Sequence, residues 1–127
     1  MSHKVLIVDD EDHLRMLIEQ ALEDLEDEGV ELITASNGEE ALHLIVEERP
    51  DLVFLDVMMP KMNGIEVCRR VKQELNLQHI YIIILTAKGQ ELDKKKGEEV
   101  GADLYMTKPF DPDKLLEKAR EVVGALK

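Results

Sequence analysis

The chain has 127 residues, 44% hydrophobic and 35% charged, with a net charge of −12. That length suits one ordinary domain with a core of its own, and the acidic balance argues against binding nucleic acid or an anionic membrane through its own surface. The one cysteine, Cys68, excludes an internal disulfide and suits a reducing cytoplasm, and no apolar run approaches the ~20 residues of a membrane-spanning helix.

Strand and helix signals then alternate five times. Residues 5–9 form a continuous apolar run, as in a strand covered on both faces. Leu14, Leu17, Ile18, Ala21, Leu22 and Leu25 follow at helical spacing, and Gly29 ends that helix. Glu31–Ala35 is a short second strand; Asn37 is placed to cap a helix running through Glu48, which Pro50 stops. Leu52–Asp56 is the third strand and 58–63 a loop. The pattern over 65–75 predicts a helix with Val67, Cys68, Val71 and Leu75 on its inner face.

Residues 80–86, Ile-Tyr-Ile-Ile-Ile-Leu-Thr, carry the strongest strand signal and should be central. A helix over 90–100 is expected to be the least stable element, because it holds Gly97 and the run Lys94-Lys95-Lys96 and few apolar residues. Residues 104–107 make a fifth strand. Pro112 opens the last helix, whose apolar stripe is Leu115, Leu116, Ala119, Val122, Val123 and Leu126.

Five strand–helix units predict an α/β fold: a doubly wound, five-stranded parallel sheet with helices on both faces and right-handed crossovers. No linker or repeat divides residues 1–127, so a single domain without an output domain is expected. With strand order 2-1-3-4-5, ligands bind at the carboxyl ends of strands 1 and 3, where the winding reverses. Asp9-Asp10 and Asp56 close those two strands, Lys108 follows strand 5, and Thr86 ends strand 4.

Three carboxylates held ~5 Å apart repel by about 3 kcal/mol per pair at an effective dielectric near ~20. Lys108 offsets part of this. The remainder invites a hard divalent cation, Mg²⁺, on oxygen ligands and water. Such a site handles a phosphoryl group, a reaction that asks the protein mainly for positioning and charge neutralisation. Asp56 can serve as an in-line carboxylate nucleophile, with Lys108 on the phosphoryl oxygens and the Thr86 hydroxyl at the same edge. Lys88 lies nearby in sequence.

With these residues in place, the chain resembles a receiver domain of the bacterial response regulators of two-component signal transduction. Asp9-Asp10 resembles the family's metal-binding acidic pair. Val53-Phe54-Leu55-Asp56-Val57-Met58-Met59-Pro60, followed by Asn63-Gly64, resembles the segment around its phospho-accepting aspartate. Leu85-Thr86-Ala87 resembles its switch threonine and the small residue after it. Lys108-Pro109-Phe110 resembles its lysine and the proline that usually makes a cis peptide. The resemblance covers the whole chain.

It implies a flavodoxin-like (βα)5 fold in which Asp56 accepts a phosphoryl group from a sensor histidine kinase or phosphotransfer protein, within a phosphorelay. Mg²⁺ would be bound by Asp10 directly, by Asp9 largely through water, by Asp56 and by the backbone carbonyl of Met58. Thr86 and Lys108 would grip the phosphoryl oxygens. Tyr105 would rotate as Thr86 shifts, biasing the face made of the 90–100 helix, the fifth strand and the last helix. The implied protein is a cytoplasmic phosphoprotein signalling to a downstream protein target, with no direct contact to nucleic acid or membrane. It would be a monomer or a weak phosphorylation-dependent dimer, limited to self-phosphorylation and auto-dephosphorylation. Leu104 stands where the family often has a second acid after Asp103, which weakens the case for a charged dimer contact. The lifetime-tuning positions hold Met58, which cannot orient water by hydrogen bonding, and Lys88.

Two other functions fit less well. A dehalogenase-type phosphatase wants an aspartate at the position of Met58. A flavin-binding domain wants a hydroxyl- and glycine-rich phosphate loop where this chain has Asp9-Asp10-Glu11-Asp12.

Overall fold

Apolar runs that lack polar alternation need cover on both sides, and the chain supplies it by winding helices onto both faces of one sheet. A computed structural model of the chain describes residues 3–59, 61–87, 99–108 and 111–125. Its strands are β1 Lys4–Val8, β2 Glu31–Ala35, β3 Leu52–Asp56, β4 Tyr81–Ala87 and β5 Leu104–Lys108. They are all parallel, in the order β2-β1-β3-β4-β5. The expected flavodoxin-like topology is therefore the observed one.

The helices are α1 Asp12–Ala21, α2 Glu23–Asp27, α3 Gly38–Glu48, α4 Gly64–Arg69 and α5 Pro112–Ala125. Alternation along each strand sorts the core into two layers. Leu6, Val8, Val53, Leu55, Ile82 and Ile84 pack with Ala41 and Ile45 of α3 and Val67 and Cys68 of α4. Val5, Ile7, Leu52, Phe54, Ile83 and Leu85 pack with Ile18 of α1 and with Leu115, Ala119 and Val123 of α5.

Several elements depart from the sequence reading. The first helix breaks at Leu22, where the backbone leaves helical geometry (φ −100°, ψ 9°) before α2 begins. The break keeps Leu22 and Leu25 in the core while Leu17 faces solvent. The 65–75 helix becomes α4 followed by a π-helical turn over Arg70–Glu74. Its wider loops, such as Leu75 N–H to the Arg70 carbonyl at 2.8 Å, add a residue to the turn. Leu75 is thereby rotated out to 42% exposure and Leu77 rejoins the core in its place. Strand β4 runs one residue later than expected, and β5 extends to include Lys108.

Of the 90–100 helix, Glu99 and Val100 are described and helical. Gly97, the Lys94-Lys95-Lys96 run, Pro60, Lys88, Pro109, Phe110 and Leu126 lie outside the described residues.

The start of α3 is built by side chains, as expected. Asn37 Oδ1 accepts the Glu40 N–H at 2.9 Å, and the Glu40 carboxylate accepts the Ser36 N–H at 3.1 Å. Asn37→Ala should therefore lower unfolding free energy by about 1 kcal/mol, a loss read from urea denaturation at neutral pH.

Candidate functional site

The period of two that sorts the core also aims the polar residues at the strand ends. Asp9, Asp56 and Lys108 are in phase with Ile7, Phe54 and Met106, the side of the sheet covered by α1 and α5. The Asp9 N–H still bonds the Ala35 carbonyl at 3.2 Å, so it continues the ladder of β1. Thr86 is in phase with Ile82 and Ile84, and Tyr105 packs in that same layer. The two groups thus lie on opposite faces of the sheet, with Asp9 and Asp56 at the crevice between β1 and β3.

The carboxylates converge. Asp9, Asp10 and Asp56 each place an oxygen within 4.8 Å of the others; Asp9 and Asp56 are buried and Asp10 is exposed. Lys108 Nζ bridges the buried pair, 3.2 Å from Asp9 Oδ2 and 3.1 Å from Asp56 Oδ1. Asp9 Oδ1 accepts the Glu11 N–H at 3.0 Å, so both Asp9 oxygens are engaged. Among the described residues no hydrogen-bond donor reaches Asp56 Oδ2, which leaves that oxygen available to an incoming electrophile.

The titration behaviour follows from this crowding. Burial, then the charge of Asp9, push the Asp56 carboxyl up to about 6 although Lys108 pulls it down. Burial works against the Lys108 charge, but Asp56 and Asp9 outweigh it and hold its ammonium above the ordinary lysine value. One ammonium among three carboxylates leaves an excess of negative charge. The donor set is all oxygen, which suits a hard divalent cation that keeps part of its water and does not suit a tetrahedral nitrogen–sulfur metal.

The loop after β3 is bent back onto the site by close backbone approach. A Cβ on Gly64 would lie 2.3 Å from the Asp56 carbonyl oxygen, so only glycine lets α4 start there. The Gly64 N–H bonds the Val57 carbonyl at 3.0 Å, and Asn63 Oδ1 caps α4 by accepting the Glu66 N–H at 2.9 Å. Met58 stands on this loop, 62% exposed, two residues after Asp56. Thr86 is buried at the carboxyl end of β4.

Sequence reasoning missed Arg15. From α1 its guanidinium donates to the Asp9 carbonyl at 2.6 Å and pairs with Asp12, adding positive charge beside the acidic cluster. Its only signal was the spacing of three from Asp12, which reads as an ordinary helix-surface pair.

An acid whose pKa is higher in the folded chain binds its proton more tightly there than in the unfolded chain. The contribution of Asp56 to stability is therefore best below its ordinary value of 3.8 and declines as pH rises to about 6. Asp56→Asn should stabilise the chain at pH 7 in a chelating buffer by about 2–3 kcal/mol, with the gain vanishing below about pH 4. Paired urea titrations across that range measure it, and a variant less stable than wild type at pH 7 would contradict the stated electrostatics.

The geometry has close counterparts. The response regulator receiver domain profile matches residues 5–120. The alkaline phosphatase synthesis transcriptional regulatory protein PhoP of Bacillus subtilis is 46% identical over 123 residues, covering 97% of this chain and 49% of that protein. The phosphate regulon transcriptional regulatory protein PhoB of Pseudomonas aeruginosa is 46% identical over 119 residues, covering 94% of this chain and 51% of that protein. The chain thus spans about half the length of the curated relatives it matches. Among solved structures, the receiver domain of the response regulator AraT from Geobacillus stearothermophilus is similar with a TM-score of 0.86 at 31% identity, covering 99% of this chain and 96% of that one. Matched along nearly its whole length by profile, sequence and structure, the chain belongs to the response regulator receiver domain family of two-component systems.

Proposed function

We propose that this chain is a phospho-accepting receiver in which Asp56 takes a phosphoryl group from a phosphohistidine donor and the modified site biases a partner-binding face. The observation that carries this reading is the convergence of Asp9, Asp10 and Asp56 on one point, with Lys108 bridging the two buried carboxylates.

Asp56 Oδ2 attacks phosphorus in line; the new O–P bond forms as the P–N bond to the donor imidazole breaks, and its electron pair leaves with the ring nitrogen. The raised pKa of Asp56 still leaves it ionised at neutral pH, hence nucleophilic. Lys108 holds the other oxygen of the Asp56 carboxylate and is close enough to follow charge onto the phosphoryl oxygens. Mg²⁺, when bound by Asp9, Asp10, Asp56 and the Met58 carbonyl, supplies neutralising charge to the same group. The side chains needed to bind it are all in the site, which supports that assignment.

Phosphorylation adds roughly −1.5 to −2 charges and new acceptor oxygens at this edge. Thr86, in phase with the opposite face, reaches those oxygens only by moving toward them. Tyr105, in the same layer as Ile84, then has space to follow. Such a shift selects between two arrangements of the face expected to be made of the 90–100 helix, β5 and α5.

Residues 1–127 are read as one receiver domain, working in the cytoplasm with a sensor kinase or phosphotransfer protein upstream and a protein target downstream. It turns over no separate substrate, and it associates at most weakly, in a phosphorylation-dependent way. PhoP and PhoB are named transcriptional regulators. With a net charge of −12, contact to nucleic acid by this domain's own surface is not part of the proposal.

Incubation with Mg²⁺ and a small acyl phosphate, followed by intact mass, tests the reading. One phosphoryl adduct is expected on the wild type, none on Asp56→Ala, and a labelling rate 10- to 100-fold lower, in order of magnitude, on Lys108→Ala. A wild type that takes no label, or an Asp56→Ala variant that labels equally, would overturn the assignment.

A further inference from the structure

Strand β5 presents an unsolved problem of register. Among the described residues it lies at the edge of the sheet, bonded to β4 alone. None of its five residues is fully buried. A strand without a buried row specifies its pairing weakly, and a slip of one residue sends every side chain to the opposite face. Yet β5 carries both Tyr105 and Lys108, which must face opposite ways for the site to exist.

A buried lysine at the far end of the sheet supplies the missing constraint. Lys72, on the π-helical turn, is 5% exposed. Its Nζ donates to the Gln78 carbonyl at 3.0 Å, the Ile80 carbonyl at 2.7 Å and Asp103 Oδ2 at 2.9 Å. Asp103 is the residue immediately before β5. The same Oδ2 accepts the Ile82 N–H at 2.8 Å, while the Asp103 N–H donates to the Ile82 carbonyl at 3.0 Å. Both backbone groups of one β4 residue are thus tied to the entry of β5, and Lys72 holds the carboxylate that ties them. Gly101, at φ +97°, brings the chain in over the Lys72 stem, where a Cβ would sit 3.5 Å from Lys72 Cβ and Cγ.

We propose that Lys72, acting through Asp103, is a positioning residue that pins the register of β5 against β4 and so sets Lys108 against Asp9 and Asp56. The functional half of this inference rests on the phospho-acceptor role proposed above; the register half does not. Lys72 makes no contact with the acidic cluster among the described residues, so its effect on labelling must pass through β5.

Two measurements on the full chain test it. In Lys72→Met, and in Asp103→Ala should the first variant fold poorly, cross-strand amide contacts by NMR between Ile84 and Tyr105 and between Thr86 and Thr107 should weaken or double. Those between Leu6 and Val53 of β1 and β3 should persist. Acyl phosphate labelling should slow at least fivefold in an otherwise wild-type chain, but change less than twofold in a Lys108→Ala background, where the positioned group is already gone. Intact β4–β5 contacts with wild-type labelling, or an equal loss in both backgrounds, would overturn the pin. Should the wild type itself take no label, the phospho-acceptor role falls and the NMR contacts alone decide the register claim.

Discussion

The bridge from Lys108 to Asp9 and Asp56 is the interaction on which the site depends. Two buried carboxylates and an exposed third, gathered within 4.8 Å, form an arrangement that folding alone would not favour. A single ammonium holds the buried pair, while burial, and then the charge of Asp9, still push the Asp56 carboxyl up to about 6. In the proposed function, a cation and a phosphoryl group would relieve this charge density. Stability surrendered at such a site, with strength elsewhere in the core, is a recurrent feature of functional pockets.

The rest of the fold can be understood as what holds that bridge in place. The central strands β1, β3 and β4, with residues 5–8, 52–56 and 82–86 buried, make a packed platform, and strand alternation sets Asp9 and Asp56, with Lys108 of β5, on one side and Thr86 on the other. Gly64 lets α4 begin against the Asp56 carbonyl, which fixes the loop carrying Met58. The C-terminal strand is the weakly specified member, and Lys72 with Asp103 ties it down from the opposite end of the sheet. An edge strand anchored at its entry and carrying Lys108 at its exit is well suited to transmit a change at the acidic cluster along its own length.

Much of this was legible in the sequence because burial on both faces leaves long apolar runs. The strands at Glu31–Ala35 and Leu52–Asp56 have the bounds read from the pattern, and the acidic residues that close β1 and β3 pointed to the crevice before any coordinates. Asn37 announced a helix start, whereas the equivalent cap by Asn63 emerged only from the structure. The π-helical turn was invisible, since an extra residue in a turn has no composition of its own, and it displaced Leu75 from the expected core. Nothing in the sequence singled out Lys72, because its carboxylate partner lies 31 residues away. The break at Leu22 likewise contains neither glycine nor proline to mark it.

The most direct test of the central claim is calorimetric titration of Mg²⁺ into the metal-free chain at neutral pH, with a thermal melt on the same samples. If the three carboxylates form one cation site, wild type should bind one Mg²⁺ per chain and melt at a higher temperature when it does, and Asp10→Ala should lose both effects while remaining folded. A wild type that shows neither binding heat nor a shifted melt, or an Asp10→Ala variant that binds as well as wild type, would contradict the convergence of these residues into a working site.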